Sequence, residues 1–136
     1  GFTSENVKDC YEKGITVSCQ QWGVNVGDYL TSDATPSDYV DAFEAKYDVK
    51  ALIKVTPKWD GGASPEEQLE RILTQKWIAC YPEGYEAWTE QRRTGYPQLF
   101  KVFVNNSGGA IDTNIRIVAC HIRQTFKKTI LLNILL

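Results

Sequence analysis

Hydrophobic residues repeat at intervals of three and four in the middle of the chain, which is the spacing of one face of an α-helix. Just before this stretch, Ser64 is followed by Pro65, and Glu67 comes three residues after the serine. A serine N-cap, a proline in the first turn and a glutamate at the third position form a capping box. The sequence therefore predicts a helix from residue 65, with Leu69, Ile72, Leu73, Lys76, Trp77 and Cys80 at the repeating positions.

A second helical pattern follows after a short interruption by Pro82 and Gly84. It ends before Gly95 and Pro97, residues typical of helix termination. Because the connection between the two helices is short, we expect them to form an antiparallel hairpin. The side chains along one side of the second helix are Tyr85, Trp88, Thr89 and Arg92.

Weaker patterns lie on either side of this hairpin. Residues 4–21 predict a helix with Ser4 as N-cap and Gly23 after its end. A polar loop covers residues 22–36, and the segment from Tyr39 to Tyr47 fits either a short helix or irregular structure. Brief extended stretches are predicted at Leu52, Ile53 and Val55 and again at residues 99–104. The predicted fold class is mainly α, with minor β and long loops.

The overall charge conceals an uneven distribution. The 136 residues include 15 Lys plus Arg and 17 Asp plus Glu, and the net charge is −2. All the acidic residues lie at or before Asp112, and only four charged residues, all basic, follow it. An acidic body with no basic stripe excludes a nucleic-acid-binding protein, which must neutralise phosphates. The longest apolar run is too short to span a bilayer, and no signal peptide is visible at the N-terminus.

The four cysteines do not indicate a metal or redox site. No pair has the C-x-x-C spacing of such sites, and we interpret the thiols as buried or incidental. Cys120 and His121 are adjacent, but sequence neighbours generally point apart, so they do not predict a nucleophile and base. The sequence predicts no metal site and no cofactor.

The block LERILTQKWIACYPEGYEAWTEQRRTGYPQLF, residues 69–100, resembles the C-terminal region of the SusD/RagB family. Members of this family are surface glycan-binding lipoproteins of Bacteroidetes, with a scaffold of tetratricopeptide-like helical pairs. The resemblance covers about residues 4–117, whereas family members are several times longer, so the chain looks like a C-terminal fragment. Matching positions that we interpret as a structural motif are Gln75, Lys76, Trp77, Glu86, Trp88, Arg92, Arg93, Gly95, Tyr96 and Pro97. We expect Arg92 or Arg93 to be paired, since a buried unpaired Arg is costly.

The resemblance implies a non-catalytic nutrient-binding protein of the outer membrane. Such a protein captures glycans for a TonB-dependent transporter, as part of polysaccharide utilization. Because the family binds sugars on aromatic platforms, we expect Trp59, Tyr29 and Tyr81 to be the candidate ligand-binding residues. The alternatives are a helical interaction module with no ligand of its own and a glycan-active enzyme. A fragment separated from its neighbours would also expose apolar surface, which favours a homo-oligomer.

The enzyme alternative depends on carboxylates at helical spacing. Glu83, Glu86 and Glu90 lie three and four residues apart, on one face of the second predicted helix. A glycosidase places its two carboxyl groups across a cleft, usually from different elements. We therefore interpret these three residues as a solvated helix face and predict no catalytic residue.

The tail departs from the resemblance after Ile117. Read in a shifted frame with permitted codons, IVACHIRQTFKKTILLNILL yields a string that is similar to the family's continuation. Our hypothesis is that residues 118–136 are a frameshifted, non-family tail. Its apolar positions nevertheless have helix-like spacing, and we expect them to cover apolar surface of this chain or another copy. They are Ile122, Phe126, Ile130, Leu131 and Ile134.

Overall fold

The computed structural model describes residues 6–112. It contains three α-helices: α1 (Val7–Gln21), α2 (Pro65–Ala79) and α3 (Gly84–Thr94). Two short 3-10 turns at Tyr29–Thr31 and Ala45–Tyr47 interrupt the long connection between α1 and α2. The mainly α fold class is confirmed.

The start of α1 differs from the prediction, which placed the N-cap at Ser4. The helix begins at Val7 and its N-cap is Asn6, whose side-chain oxygen accepts a hydrogen bond from the Lys8 N–H at 2.9 Å. It ends before Gly23, which adopts φ +66°, and the Val24 N–H donates to the Cys19 carbonyl at 2.9 Å. This left-handed glycine with its backward hydrogen bond is a typical helix stop.

The predicted capping box of α2 is confirmed. The Ser64 N–H donates to Glu67 Oε2 at 2.9 Å, and the Glu67 N–H donates to Ser64 Oγ at 3.3 Å. The hydrogen bond from the Ser64 side chain lowers the pKa of Glu67. These reciprocal bonds satisfy N–H groups that the first turn of a helix otherwise leaves unpaired.

α2 and α3 form the predicted antiparallel hairpin. At one end, Lys76 near the end of α2 lies 2.9 Å from Glu86 in the first turn of α3. At the other end, Tyr96, just beyond α3, is hydrogen-bonded to Glu66 in the first turn of α2, and this bond raises the pKa of Tyr96. Contacts at both ends require the two helices to run in opposite directions. Gly95 ends α3 at φ +81°.

The predicted extended stretches do not form strands. Within residues 6–112 the only β-type pairing is an isolated bridge between Tyr39 and Val49. Around residues 51–57, side chains are hydrogen-bonded to backbone groups that would otherwise pair with a neighbouring strand. Asp38 accepts the Ala51 N–H at 2.8 Å, and Arg71 donates to the Thr56 carbonyl at 3.0 Å. The segment is therefore held by side chains of other elements and not by a neighbouring strand.

The chain divides into two compact units, Gly1–Phe100 and Lys101–Leu136. In the described part of the second unit, the Asn105 amide donates to the Ile111 carbonyl at 2.6 Å, and the Ile111 N–H donates to Ser107 Oγ at 3.0 Å. Gly108 and Gly109, both at positive φ, make the turn between these residues. The predicted strand at residues 99–104 is not formed. The loop that follows is a turn closed by side-chain hydrogen bonds.

Several predictions concern residues outside the described range. They include Cys120 and His121, the apolar spacing of the tail and its frameshifted origin. Among the helices of residues 6–112, none is long and apolar enough to cross a membrane.

Candidate functional site

The core of the first unit contains an aromatic pair from α1 and the connection to α2. Tyr11 is 7% exposed, and its ring lies 5.1 Å from that of Trp59, tilted by 46°. The Tyr11 hydroxyl donates to the Pro57 carbonyl at 2.6 Å, and burial raises the pKa of Tyr11 to about 12. Trp59, predicted from its Gly-rich turn to be a ligand-binding aromatic, is half-buried in this cluster.

Arg71 is an arginine on α2 that is buried in the structure. The sequence did not predict its burial. Arg71 is 7% exposed and donates through Nε to the Thr56 carbonyl. Its Nη1 and the Thr74 hydroxyl are buried without a hydrogen-bond partner in residues 6–112. The buried side of α2 is therefore Arg71, Leu73 and Thr74, whereas Leu69, predicted to be on the apolar face, is 40% exposed.

The arginines predicted to need partners have them on the surface of α3. The Arg92 guanidinium lies 4.7 Å from the centre of the Trp88 ring. Arg93 donates to Glu90 at 2.8 Å, and this hydrogen bond lowers the pKa of Glu90. Each contact joins two residues three or four positions apart on α3, where such exposed contacts are worth little energy.

The remaining motif residues connect the hairpin to its surroundings. Lys76 lies 2.9 Å from Glu86 and 3.5 Å from Glu90, so it joins α2 to α3. Gln75 accepts a hydrogen bond from the Tyr29 hydroxyl at 3.1 Å, which joins α2 to the first 3-10 turn. Trp77 is half-buried, and Pro97 is fully buried. Lys76, Gln75 and Pro97 thus contact or pack within the fold, and the interpretation of the matching positions as a structural motif stays a prediction.

Tyr81 forms an exposed aromatic pair with Trp22. The ring centres lie 5.8 Å apart at a tilt of 52°, and the residues are 72% and 51% exposed, respectively. Trp22 directly follows α1 and Tyr81 comes soon after α2, so the pair marks the point where the two helices end together. Tyr81 was predicted to be a ligand-binding residue but Trp22 was not, because the sequence predicts a polar loop that begins at Trp22.

An open groove of about 690 Å³ runs between α1 and α2. Its apolar lining includes Ile15, Val24 and Ile78, and Tyr29 and Gln75 lie along it. The three predicted ligand aromatics thus have different settings: Trp59 is half-buried against Tyr11, Tyr29 lies on the groove and Tyr81 belongs to the exposed pair. Within residues 6–112, no group of three or more His, Cys, Asp or Glu side chains is arranged to hold a metal ion.

The chain matches a family model described as SusD-like, Susd and RagB outer membrane lipoprotein, over residues 1–127. The match continues past Ile117, where the sequence predicts the end of the family-like part, and the origin of the tail stays a prediction. A comparison with curated proteins found no match.

Solved structures of SusD homologues are similar to this chain. The homologue from Bacteroides vulgatus ATCC 8482 is 55% identical with a TM-score of 0.76, and the match covers 84% of this chain and 23% of that one. A chitin-binding SusD homologue from Flavobacterium johnsoniae is 43% identical with a TM-score of 0.77, covering 83% and 24%. A homologue from Bacteroides thetaiotaomicron VPI-5482 is 42% identical with a TM-score of 0.75, covering 83% and 24%.

The present chain therefore spans about a quarter of the length of these solved relatives. The family match nevertheless covers residues 1–127, and the structural matches cover 83% or 84% of this chain. The chain belongs to the SusD-like family of outer-membrane lipoproteins.

Proposed function

We propose that this chain is part of a non-catalytic protein of the outer membrane that binds glycans for a TonB-dependent transporter. Its membership of the SusD-like family carries the proposal, and the description of one relative as chitin-binding supports a carbohydrate as the ligand. The protein would act as a lipoprotein of the outer membrane, the location that the family description names.

The exposed Trp22–Tyr81 pair is the surface that best suits a sugar. The CH face of a sugar ring stacks on exposed aromatic side chains, which are large and rigid and keep a polar tip in water. Of the three predicted aromatics, Tyr81 has this exposure, whereas Trp59 is packed against Tyr11 and Tyr29 is hydrogen-bonded to Gln75. We therefore assign the ligand contact to Tyr81 together with Trp22.

The carboxylates of α3 support a non-catalytic role. Glu86 and Glu90 both lie close to Lys76, and Glu90 also accepts a hydrogen bond from Arg93. These partners hold the pKa of Glu90 below its ordinary value, whereas a general acid needs a raised pKa. The face is thus occupied by ion pairs and does not offer an acid and a base across a cleft.

Binding to polysaccharides tests the proposal. The chain is mixed with insoluble chitin and with soluble N-acetylglucosamine oligomers, and binding is measured by pull-down and calorimetry. Trp22→Ala and Tyr81→Ala should each weaken binding roughly tenfold, about 1.4 kcal/mol, because each removes a stacking surface. Tyr85→Ala, which removes a tyrosine that is 87% exposed on α3, is the matched control and should change affinity less than twofold.

Three results would count against parts of this proposal. Failure to bind across a panel of polysaccharides that includes starch and chitin favours a helical module with no ligand of its own. Equal losses in Tyr81→Ala and Tyr85→Ala contradict the assigned surface. Release of reducing ends from any polysaccharide contradicts the non-catalytic role. Co-purification of the longer protein with a TonB-dependent transporter tests the partner separately.

A further inference from the structure

Arg71 is a buried cation whose charge is not neutralised by the side chains around it. It forms no ion pair within residues 6–112, and the carboxylate of Glu67, one helical turn earlier, is hydrogen-bonded to Ser64 instead. Tyr11 carries no charge at neutral pH, because burial raises its pKa to about 12. Burying a guanidinium without a counter-charge costs free energy, so a group of opposite charge is expected beside Arg71.

The guanidinium of Arg71 also has an unused donor. Its Nε donates to the Thr56 carbonyl at 3.0 Å, but its Nη1 is buried and has no hydrogen-bond partner within residues 6–112. A guanidinium has five N–H donors and accepts no hydrogen bond. The group that completes this site must therefore be a hydrogen-bond acceptor.

Thr74 has a second unused donor one helical turn away. The other three threonines in the described α-helices each donate to the carbonyl four residues earlier, and they are Thr16, Thr89 and Thr94. Thr74 is 7% exposed, and its buried hydroxyl makes no hydrogen bond within the described part of the chain. Because residues three positions apart are neighbours on a helix, Thr74 and Arg71 lie together on the buried side of α2.

We propose that Arg71 and Thr74 bind a chloride ion on the buried side of α2. The ion accepts hydrogen bonds from Nη1 and from the threonine hydroxyl, and it neutralises the guanidinium charge. A water molecule accepts the same two bonds, but it brings no charge and has two hydrogens that need acceptors of their own. A phosphate carries more acceptor oxygens than these two donors satisfy. The site uses neither residue of the exposed aromatic pair, and the inference does not depend on the proposed glycan binding.

Thermal unfolding in two sodium salts tests the chloride site. The 136-residue chain is unfolded in sodium chloride and in sodium gluconate at equal ionic strength, because gluconate is too large for a buried position. A ligand that binds only the folded state raises the melting temperature, which should be at least about 4 °C higher in about 200 mM chloride. General effects of the two salts are measured with the variants below.

Two pairs of variants show whether the chloride effect comes from this site. Arg71→Met removes the donor and the charge and should abolish the chloride-dependent shift, whereas Arg93→Met removes an exposed arginine on α3 and should retain it. Thr74→Val removes one of the two donors and should reduce the shift by roughly half. Thr74→Ser keeps the hydroxyl and should retain the shift. Equal shifts in the wild type and Arg71→Met would overturn the proposal, because they would reflect only general salt effects.

Crystallography with bromide gives a second readout that needs no variant. Bromide is chemically similar to chloride, and its anomalous scattering distinguishes it from water. Crystals of the 136-residue chain grown in sodium bromide should show an anomalous peak within hydrogen-bond distance of Arg71 Nη1 and Thr74 Oγ. Water at this position without an anomalous signal, or a carboxylate of the chain bonded to Arg71 Nη1, would overturn the proposal.

Discussion

Two aromatic pairs in this molecule have nearly the same geometry and opposite surroundings. Tyr11 and Trp59 lie 5.1 Å apart at 46°, and Trp22 and Tyr81 lie 5.8 Å apart at 52°. In the first pair Tyr11 belongs to the core and is 7% exposed, with Trp59 half-buried against it, while Tyr81 in the second pair is 72% exposed. Ring contact alone therefore does not separate a structural pair from a surface that can contact a ligand.

The backbone near the rings accounts for the difference. The segment of residues 56–57 directs two carbonyl groups towards the core pair, and Tyr11 and Arg71 donate to them. These long-range bonds hold an irregular segment against α1 and α2. The Trp22–Tyr81 pair instead lies where two helices end. We therefore expect the core pair to contribute mainly to stability and the exposed pair mainly to binding.

The largest expected effect is that of removing the core tyrosine. Tyr11→Ala should lower the free energy of unfolding by about 3 kcal/mol, because a buried aromatic ring is lost and a cavity remains. Tyr81→Ala should change the same quantity by less than about 0.5 kcal/mol, since most of its ring is already in water. Urea unfolding of the two variants measures both values. Similar losses would show that the two pairs play the same role.

Removing the buried arginine should have the next largest effect. Arg71→Ala leaves the Thr56 carbonyl without its donor and opens a cavity, so we expect a loss of about 2 kcal/mol in the free energy of unfolding. Arg71→Met keeps the apolar stem and removes the cost of burying a charge, so its loss should be smaller. Denaturant unfolding of both variants, with the exposed Arg93→Ala as control, measures the difference. A loss from Arg71→Ala no larger than that from Arg93→Ala would contradict the buried role.

The sequence predicted local features better than distant contacts. The limits of α2 and α3 follow from Ser64, Pro65 and Gly95, whose chemistry acts within one helical turn. The hydrogen bond between Tyr11 and Pro57 joins residues 46 positions apart, and no sequence pattern near either residue predicts it. For the same reason Leu52, Ile53 and Val55 looked like a strand, although side chains from elsewhere bind the backbone around them.

The candidate site was predicted only in part, for a related reason. Aromatic type identified Tyr81, but exposure is a tertiary property, and the Gly-rich turn after Trp59 suggested an exposure that packing against Tyr11 reduces. Trp22 was missed because its partner lies 59 positions later in the chain. Arg71 was not predicted to be buried, because helical periodicity assigns the buried face from apolar positions and Arg71 is a charged residue between them.

The pH dependence of stability separates the hydroxyl of Tyr11 from its ring. Because burial raises the pKa of Tyr11 to about 12, the folded state keeps its proton between pH 10 and 12 while the unfolded state loses it. Stability from this group is therefore complete below pH 10 and is lost as the pH rises towards 12. Tyr11→Phe should cost about 1 kcal/mol at pH 7 through the lost hydrogen bond to Pro57.

Unfolding of wild type and Tyr11→Phe at several pH values measures this effect. The difference between them should be constant below pH 10 and should decrease between pH 10 and 12, because only the wild-type protein loses the contribution of Tyr11. Other titrating groups are common to both proteins and cancel in the difference. A difference that does not change with pH would mean that the hydroxyl is not buried as the structure places it.

The smallest expected effect concerns Lys76, which joins α2 to α3 at the surface. Hydrogen bonding to Glu86 raises the pKa of Lys76, yet the ammonium group remains partly in water, where ion pairs contribute little. Lys76→Ala should lower the free energy of unfolding by about 0.5 kcal/mol, and the loss should shrink in 1 M salt because exposed charges are screened. Lys8→Ala, which removes a longer contact of 3.7 Å to Glu12 within α1, is the control. If Lys76→Ala instead destabilises the chain as much as Tyr11→Ala, the hairpin is held by its ion pairs, and the contrast between core and surface on which the site assignment depends would fail.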